Sequence, residues 1–204
     1  MISKAGEIYQ ALVAEFPDAL QSITELSKND AGDKNFIVSD AIAFKFDQMQ
    51  NFATNKSEQK ERSPDALFLH DDTLYFVEFK EGEVDKTNIR QKIHEAIINL
   101  FHYACSRKIA TRAQFLDLSI RYAVVMRFKL KNGTCPPSFF DSLELSKDFF
   151  HLKNLEGLII QKTTVVFNTK TIFALLNKIS DGKITRIELM SSDQSSKEIC
   201  PPPD

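Results

Sequence analysis

The sequence predicts a mixed α/β (α+β) domain: a mixed central sheet flanked by helices, built on an αβββαβ core with C-terminal additions. Three observations predict it. Residues 3–16 and 86–106 carry apolar side chains at helical spacing. Two short apolar runs, Asp65 to His70 and Leu74 to Lys80, flank the turn-forming pair Asp71-Asp72. A further run, Ile120 to Phe128, follows the second helix, so the chain returns to the sheet through a helical crossover.

Each element has its own local reason. In residues 3–16, Ala5, Ile8, Tyr9, Leu12 and Phe16 recur at helical spacing until Pro17 restarts the chain. Ala19 to Ser27 reads as a second helical piece. Asn29 to Asp33 is a loop, Ala41 to Phe46 a strand, and Gln48 to Ser63 a polar excursion. Lys86 to Ser106 is the clearest helix, because Ile89, Ile93, Ala96, Ile97, Leu100, Phe101 and Ala104 make one stripe. Asp85 or Thr87 can cap its start. Lys131-Asn132-Gly133 ends the strand at 120–128, and residues 137–150 read as helical. Leu158 to Phe167 is strand-like, Thr169 to Ile179 a short helix, and Ile184 to Leu189 a last strand. Ser191 to Asp204 is polar, ends in Pro201-Pro202-Pro203-Asp204 and is expected to be a mobile tail.

A chain of 204 residues with 43% hydrophobic content fills one core well. The expected organisation is one domain over 1–190, with its core at about 3–128, an extension over 131–190 and the tail beyond. No apolar run approaches the roughly 18 residues of a membrane helix, and the N-terminal residues lack a signal-peptide stretch. Cys105, Cys135 and Cys200 are far apart and show no CxxC spacing. They read as free thiols in a reducing compartment, which implies a cytoplasmic location, and the lack of a long apolar run implies no membrane partner. His70, His94, His102 and His151 form no metal-ligand spacing and receive no role.

The net charge of −2 hides a division. Lys56 to Asp85 holds nine acids and four bases, whereas Lys86 to Arg112 holds six bases against Glu95 alone. An acidic segment followed by a basic one can set a cation site beside a phosphate-attracting surface, here Lys86, Arg90 and Lys92. The plain alternative is a solvated helix face beside a charged loop.

The hairpin carries the chemistry. An acid-x-Lys triplet is expected about once by chance in a chain of this length, and three occur: Glu58-Gln59-Lys60, Asp181-Gly182-Lys183 and Glu78-Phe79-Lys80. Only the third ends an apolar strand and follows a Pro-Asp. In Leu74 to Lys80 one face reads Leu74, Phe76, Glu78, Lys80, changing from apolar to charged. With Asp71-Asp72 as the turn, His70 meets Thr73, Leu69 meets Leu74, Phe68 meets Tyr75, Leu67 meets Phe76 and Ala66 meets Val77. Asp65 then lies opposite Glu78, on the face shared with Lys80. Two opposed carboxylates repel, and a hard divalent cation, Mg²⁺ or Mn²⁺, relieves them. A cation so held can polarise a phosphodiester and acidify a water. Lys80 is placed to orient that water and offset charge, and the backbone carbonyl of Phe79 is a further candidate ligand. A hairpin with a surface Lys80 ion pair is the alternative without function.

Ser63-Pro64-Asp65 and Val77-Glu78-Phe79-Lys80, followed by a helix, resemble the PD-(D/E)XK nuclease superfamily, whose restriction-endonuclease-like core is αβββαβ. Glu78-Phe79-Lys80-Glu81-Gly82 with Lys92-Ile93 is similar to a bacterial group with an EFK-Gly strand. The resemblance implies a magnesium-dependent hydrolase that cleaves DNA or RNA, with catalytic Asp65, Glu78 and Lys80. It also implies a ligand from the first helix, for which Glu15 is preferred over Glu7. A polar residue one turn into the helix after the lysine is implied too, Gln91 with Lys92 as alternative. The competing expectation is a nuclease-fold module without turnover that binds nucleic acid or a protein partner; a homodimer belongs to the same class of partners.

Overall fold

Ser3 starts the first helix, α1 (Lys4–Glu15), by accepting the Gly6 N–H at 3.1 Å. The Phe16 N–H closes its last turn on Leu12 O at 2.9 Å, and Pro17 prevents a further turn. The computed structural model describes residues 2–28, 34–49, 62–81, 86–127, 152–157, 159–191 and 193–201. The helix expected over Ala19 to Ser27 is shorter. Leu20–Ser22 is a strand (β1), and only Ile23–Leu26 makes a helical turn (α2). The cause is tertiary: β1 pairs antiparallel with β3 (Ile42–Lys45), and a sheet ladder outweighs a weak local helical preference.

β4 (Ala66–His70) and β5 (Thr73–Glu81) form the expected hairpin. Asp71 (φ 44°) and Asp72 (φ 56°) both adopt the left-handed conformation that a tight two-residue turn requires. The pairs His70–Thr73, Leu69–Leu74, Phe68–Tyr75, Leu67–Phe76 and Ala66–Val77 match the register read from the sequence. α3 (Lys86–Ser106) and α4 (Arg112–Leu116) carry the chain to β6 (Ser119–Arg127), which lies parallel to β5. β7 (Ile160–Val166) is parallel to β6. The result is a six-stranded mixed sheet in the order β1-β3-β4-β5-β6-β7.

Strand alternation divides the interior in two. On one face Phe44, Leu67, Leu74, Phe76, Ile120, Tyr122 and Val124 pack against α1, α3 and α4 through Ile8, Leu12, Ile93, Leu100 and Phe115. On the other, Phe68, Tyr75, Val77, Phe79, Ala123 and Val125 pack against α2 and α5 (Thr169–Ile179). A sheet covered on both sides explains why β5 and β6 are apolar on both faces.

The C-terminal part departs from expectation. β8 is Ile187–Met190, slightly later than the strand read at Ile184 to Leu189. It lies between β2 (Ile37–Val38) and β9 (Lys197–Cys200) in a three-stranded sheet. A strand therefore stands inside the segment expected to be a mobile tail, and the boundary set at 190 moves beyond Cys200. Cys200 pairs with Ile187 and is buried with the second core. The loop at 29–33, residues 50–61, the turn at 131–133, the helix read at 137–150, and Phe128, Cys135 and His151 lie outside the described residues. Cys105 and Cys200 are free thiols. Among the described residues no helix is long and apolar enough to cross a membrane.

Cys200→Asp is expected to lower the midpoint of urea unfolding by the equivalent of about 3 kcal/mol, because it buries an unpaired carboxylate. Cys200→Val is expected to change it little. Equal midpoints for the aspartate variant and the parent would remove β9 from the folded unit.

Candidate functional site

The charged end of β5 is placed by alternation. Leu74 and Phe76 enter the core under α3, so Glu78 and Lys80 must follow them onto the same face. Glu78 is fully buried, at 0% exposure. A carboxylate there survives only if cations or donors reach it. Two cations do. Lys80 Nζ lies 2.8 Å from Glu78 Oε1, and Lys92 Nζ, reaching down from α3, lies 2.8 Å from the same oxygen. Glu78 Oε2 is buried without a hydrogen-bond partner.

Asp65 completes the cluster from the residue before β4. Its backbone carbonyl accepts the Phe46 N–H at 3.2 Å, and its Oδ2 accepts the Phe79 N–H at 2.6 Å. The ladder between β4 and β5 stops at Ala66–Val77, so the Asp65 side chain supplies the acceptor that a further strand residue would have offered. The amide of Arg62 bonds the Glu95 carboxylate, tying the approach to β4 onto α3. Asp65 Oδ1 lies 3.9 Å from Lys92 Nζ. N–H and C=O of one strand residue point to the same edge, so the Phe79 carbonyl faces the Asp65 side. Burial, and then the neighbouring Glu78, push the Asp65 carboxyl up to about 8, against the opposing pull of Lys92, the Phe79 N–H and Lys80.

Two more polar atoms belong to this region. The Tyr122 hydroxyl, on the same sheet face, is buried without a partner. Burial, followed by Glu78 and Asp65, pushes its pKa far above the usual phenol value. Asn88 lies one helical turn before Lys92, on the same side of α3, and its buried Oδ1 also lacks a partner.

The expected residues therefore divide. Asp65, Glu78, Lys80 and the Phe79 backbone come together. Glu15 does not join them: it accepts the Tyr103 hydroxyl at 3.1 Å and ion-pairs Arg107. Tyr103 lies eleven residues beyond Lys92, about 16 Å along α3. α1 thus places Glu15 at the far end of α3. Gln91 is also replaced. It is exposed and donates to Glu95 Oε1 at 2.8 Å. A step of 100° turns Gln91 outward and the next residue, Lys92, inward. Lys92, expected on a nucleic-acid surface or as the alternative to Gln91, takes the second of these places and contacts both carboxylates. Arg90 is half-buried on α3, and Lys86 begins that helix. The signal that could have placed Lys92 was its position among Ile89, Ile93 and Ala96 on the inward stripe. Tyr122 had no such signal, since its link to Glu78 depends on the parallel register of β5 and β6, which places Glu78 beside Val124.

Comparison with known protein families, curated proteins and solved structures finds no match to this chain.

Asp65 makes stability depend on pH. Its carboxyl keeps a proton in the folded chain that the unfolded chain releases above about 4. Metal-free stability should therefore fall as pH rises from the ordinary value of 3.8 to about 8, by at most about 1.4 kcal/mol per unit. Asp65→Asn is expected to remove this slope and to be more stable than the parent at pH 8 in EDTA. Identical pH profiles from urea unfolding would mean that Asp65 ionises as an ordinary surface acid. Tyr122→Phe deletes an unpartnered buried hydroxyl and is expected to leave the urea midpoint unchanged or raise it. A loss above about 1 kcal/mol would show that the hydroxyl is bonded.

Proposed function

We propose that this chain is a divalent-metal-dependent nuclease of the PD-(D/E)XK type, hydrolysing phosphodiester bonds of DNA or RNA. The observation that carries the reading is the fully buried Glu78, with an unpartnered oxygen, set beside Asp65 on the face that also holds Lys80. With β1, α2, β2 and α4 set aside as insertions, the order α1, β3, β4, β5, α3, β6 supports a restriction-endonuclease-like core.

The donor set fits a hard cation. Asp65, Glu78 and the Phe79 carbonyl would hold Mg²⁺ or Mn²⁺ through oxygen atoms. When bound there, such an ion supplies charge that polarises the phosphodiester and makes a water more acidic. The chain's own residues do the rest. Asp65 and Glu78 fix the position of that charge. Lys80, two residues beyond Glu78, orients the attacking water and offsets negative charge gathering on the phosphate. The apolar side chains beneath them, Leu67, Leu74 and Phe76, form the buried floor of the cluster. Arg90, near the start of α3, supplies phosphate attraction.

A second reading, a module that binds nucleic acid or a protein partner without turnover, is favoured by one observation. Lys92 already contacts both carboxylates. It predicts binding that weakens with salt and ignores EDTA.

The test is purified protein with Mg²⁺ or Mn²⁺ on single-stranded DNA, duplex DNA and RNA. Glu78→Gln and Lys80→Ala are each expected to lower cleavage by about 100-fold or more while thermal melts show a folded chain. Cleavage that survives both changes would remove Glu78 and Lys80 from the mechanism, and none by the parent on any substrate would remove the nuclease reading.

A further inference from the structure

The Asp65–Glu78 pair already holds a cation, and it belongs to the chain. Lys92 Nζ stands 2.8 Å from Glu78 Oε1 and 3.9 Å from Asp65 Oδ1, so one ammonium touches both carboxylates. We propose that Lys92 is a resident counter-ion occupying the place of the divalent cation, and that the cation enters by displacing it. Lys92 is then the residue that sets the affinity of the site and its preference for divalent over monovalent ions. This rests on the metal-site reading above.

Charge counting requires the exchange. A cation is held by Asp65 without its proton, and Asp65, Glu78, Lys80 and Lys92 in their ionised forms then sum to zero. A divalent cation added with both ammoniums in place leaves an excess of two positive charges around a carboxylate that has no solvent exposure. Excess charge in such a place is strongly opposed. One ammonium must withdraw, and Lys92 is built to do so. Its side chain is 15% exposed, so a route to solvent exists; Lys80 is more exposed, at 22%, and Lys92 is singled out by standing within 3.9 Å of both carboxylates. The flexible stem allows a strongly hydrated head group to swing outward while the methylenes stay against the helix.

Displacement also explains selectivity. Sodium or potassium carries the same charge as the ammonium, which is tethered beside the carboxylates at high effective concentration. A monovalent ion gains nothing by replacing it. A divalent ion doubles the attraction to each carboxylate. Withdrawal of Lys92 also releases part of the demand on Glu78 Oε1, so both oxygens of Glu78 can turn to the incoming ion.

The experiment measures Mn²⁺ binding to the full chain by calorimetry, with thermal melts in EDTA and in Mn²⁺. The proteins are the parent, Lys92→Met, Lys92→Gln, Lys92→Arg and Glu78→Gln. Lys92→Met and Lys92→Gln are expected to bind Mn²⁺ about ten-fold more tightly than the parent, the worth of one ion pair. Their melting temperatures should rise more on adding Mn²⁺. Lys92→Arg keeps the charge and should bind no more tightly than the parent. Replacing Na⁺ by K⁺ should leave the parent's melt unchanged. Binding by the neutral variants where the parent shows none would also support the proposal. A neutral variant that melts too low for calorimetry supports it if Mn²⁺ raises its melt more than the parent's, and opposes it otherwise. If the parent binds Mn²⁺ through Glu78 but both neutral variants bind no more tightly, the proposal fails while the metal site stands. If no protein in the set binds Mn²⁺, the metal-site reading falls and takes the proposal with it.

Discussion

Glu78 has no contact with solvent, and a carboxylate in that position constrains everything around it. Cations must arrive from two directions, because a lone ion buried in a core is too costly to keep. Lys80 comes along the same strand, two residues on and therefore on the same face. Lys92 comes from above, which requires the first turns of α3 to lie over the charged end of β5. The hairpin must run antiparallel and tightly for Asp65 to reach the same point. Phe76, Ile93 and Tyr122 then fill the space beneath the cluster. The second core, on the opposite sheet face, holds β5 from behind through Tyr75, Val77 and Phe79.

What the sequence made legible was local. The hairpin register follows from a two-residue period and a turn of two aspartates, so Asp65, Glu78 and Lys80 were placed correctly relative to one another. α5 was legible over its full span because Ile172, Leu176 and Ile179 repeat at helical spacing. What failed depended on distance along the chain. Leu20–Ser22 looks helical until β3 offers it a ladder. Lys197-Glu198-Ile199-Cys200 has too few apolar residues to announce a strand, and it forms one by pairing with β8. Glu15 was misplaced because a stripe on α1 gives the buried side of that helix but not its position along α3.

Lys92 lies between these cases. Its inward face was readable from the stripe on α3, yet a lysine beside a basic stretch is more naturally assigned to solvent. Only the presence of Glu78 beneath it makes an inward lysine favourable, and helix and strand meet through the crossover rather than through local sequence. Tyr122 is similar. A phenol in the run Tyr122-Ala123-Val124-Val125 looks like core filling, and so it is on three sides. Its hydroxyl acquires significance only when β6 is laid parallel to β5 and the carboxylates come near.

The same geometry that stabilises the cluster opposes the work proposed for it. Two carboxylates side by side require a compensating charge at all times, whether or not an external cation is present. Lys92 provides it through an ion pair that must break before that cation can bind. A better ion pair would make a more stable protein and a poorer metal site; a missing one would leave Asp65 and Glu78 facing each other without relief. The raised proton affinity of Asp65 indicates that the compensation is incomplete, since burial and Glu78 still outweigh the pull of Lys92 and Lys80. Incomplete compensation is what an exchangeable site needs: enough to fold around, too little to resist a doubly charged ion.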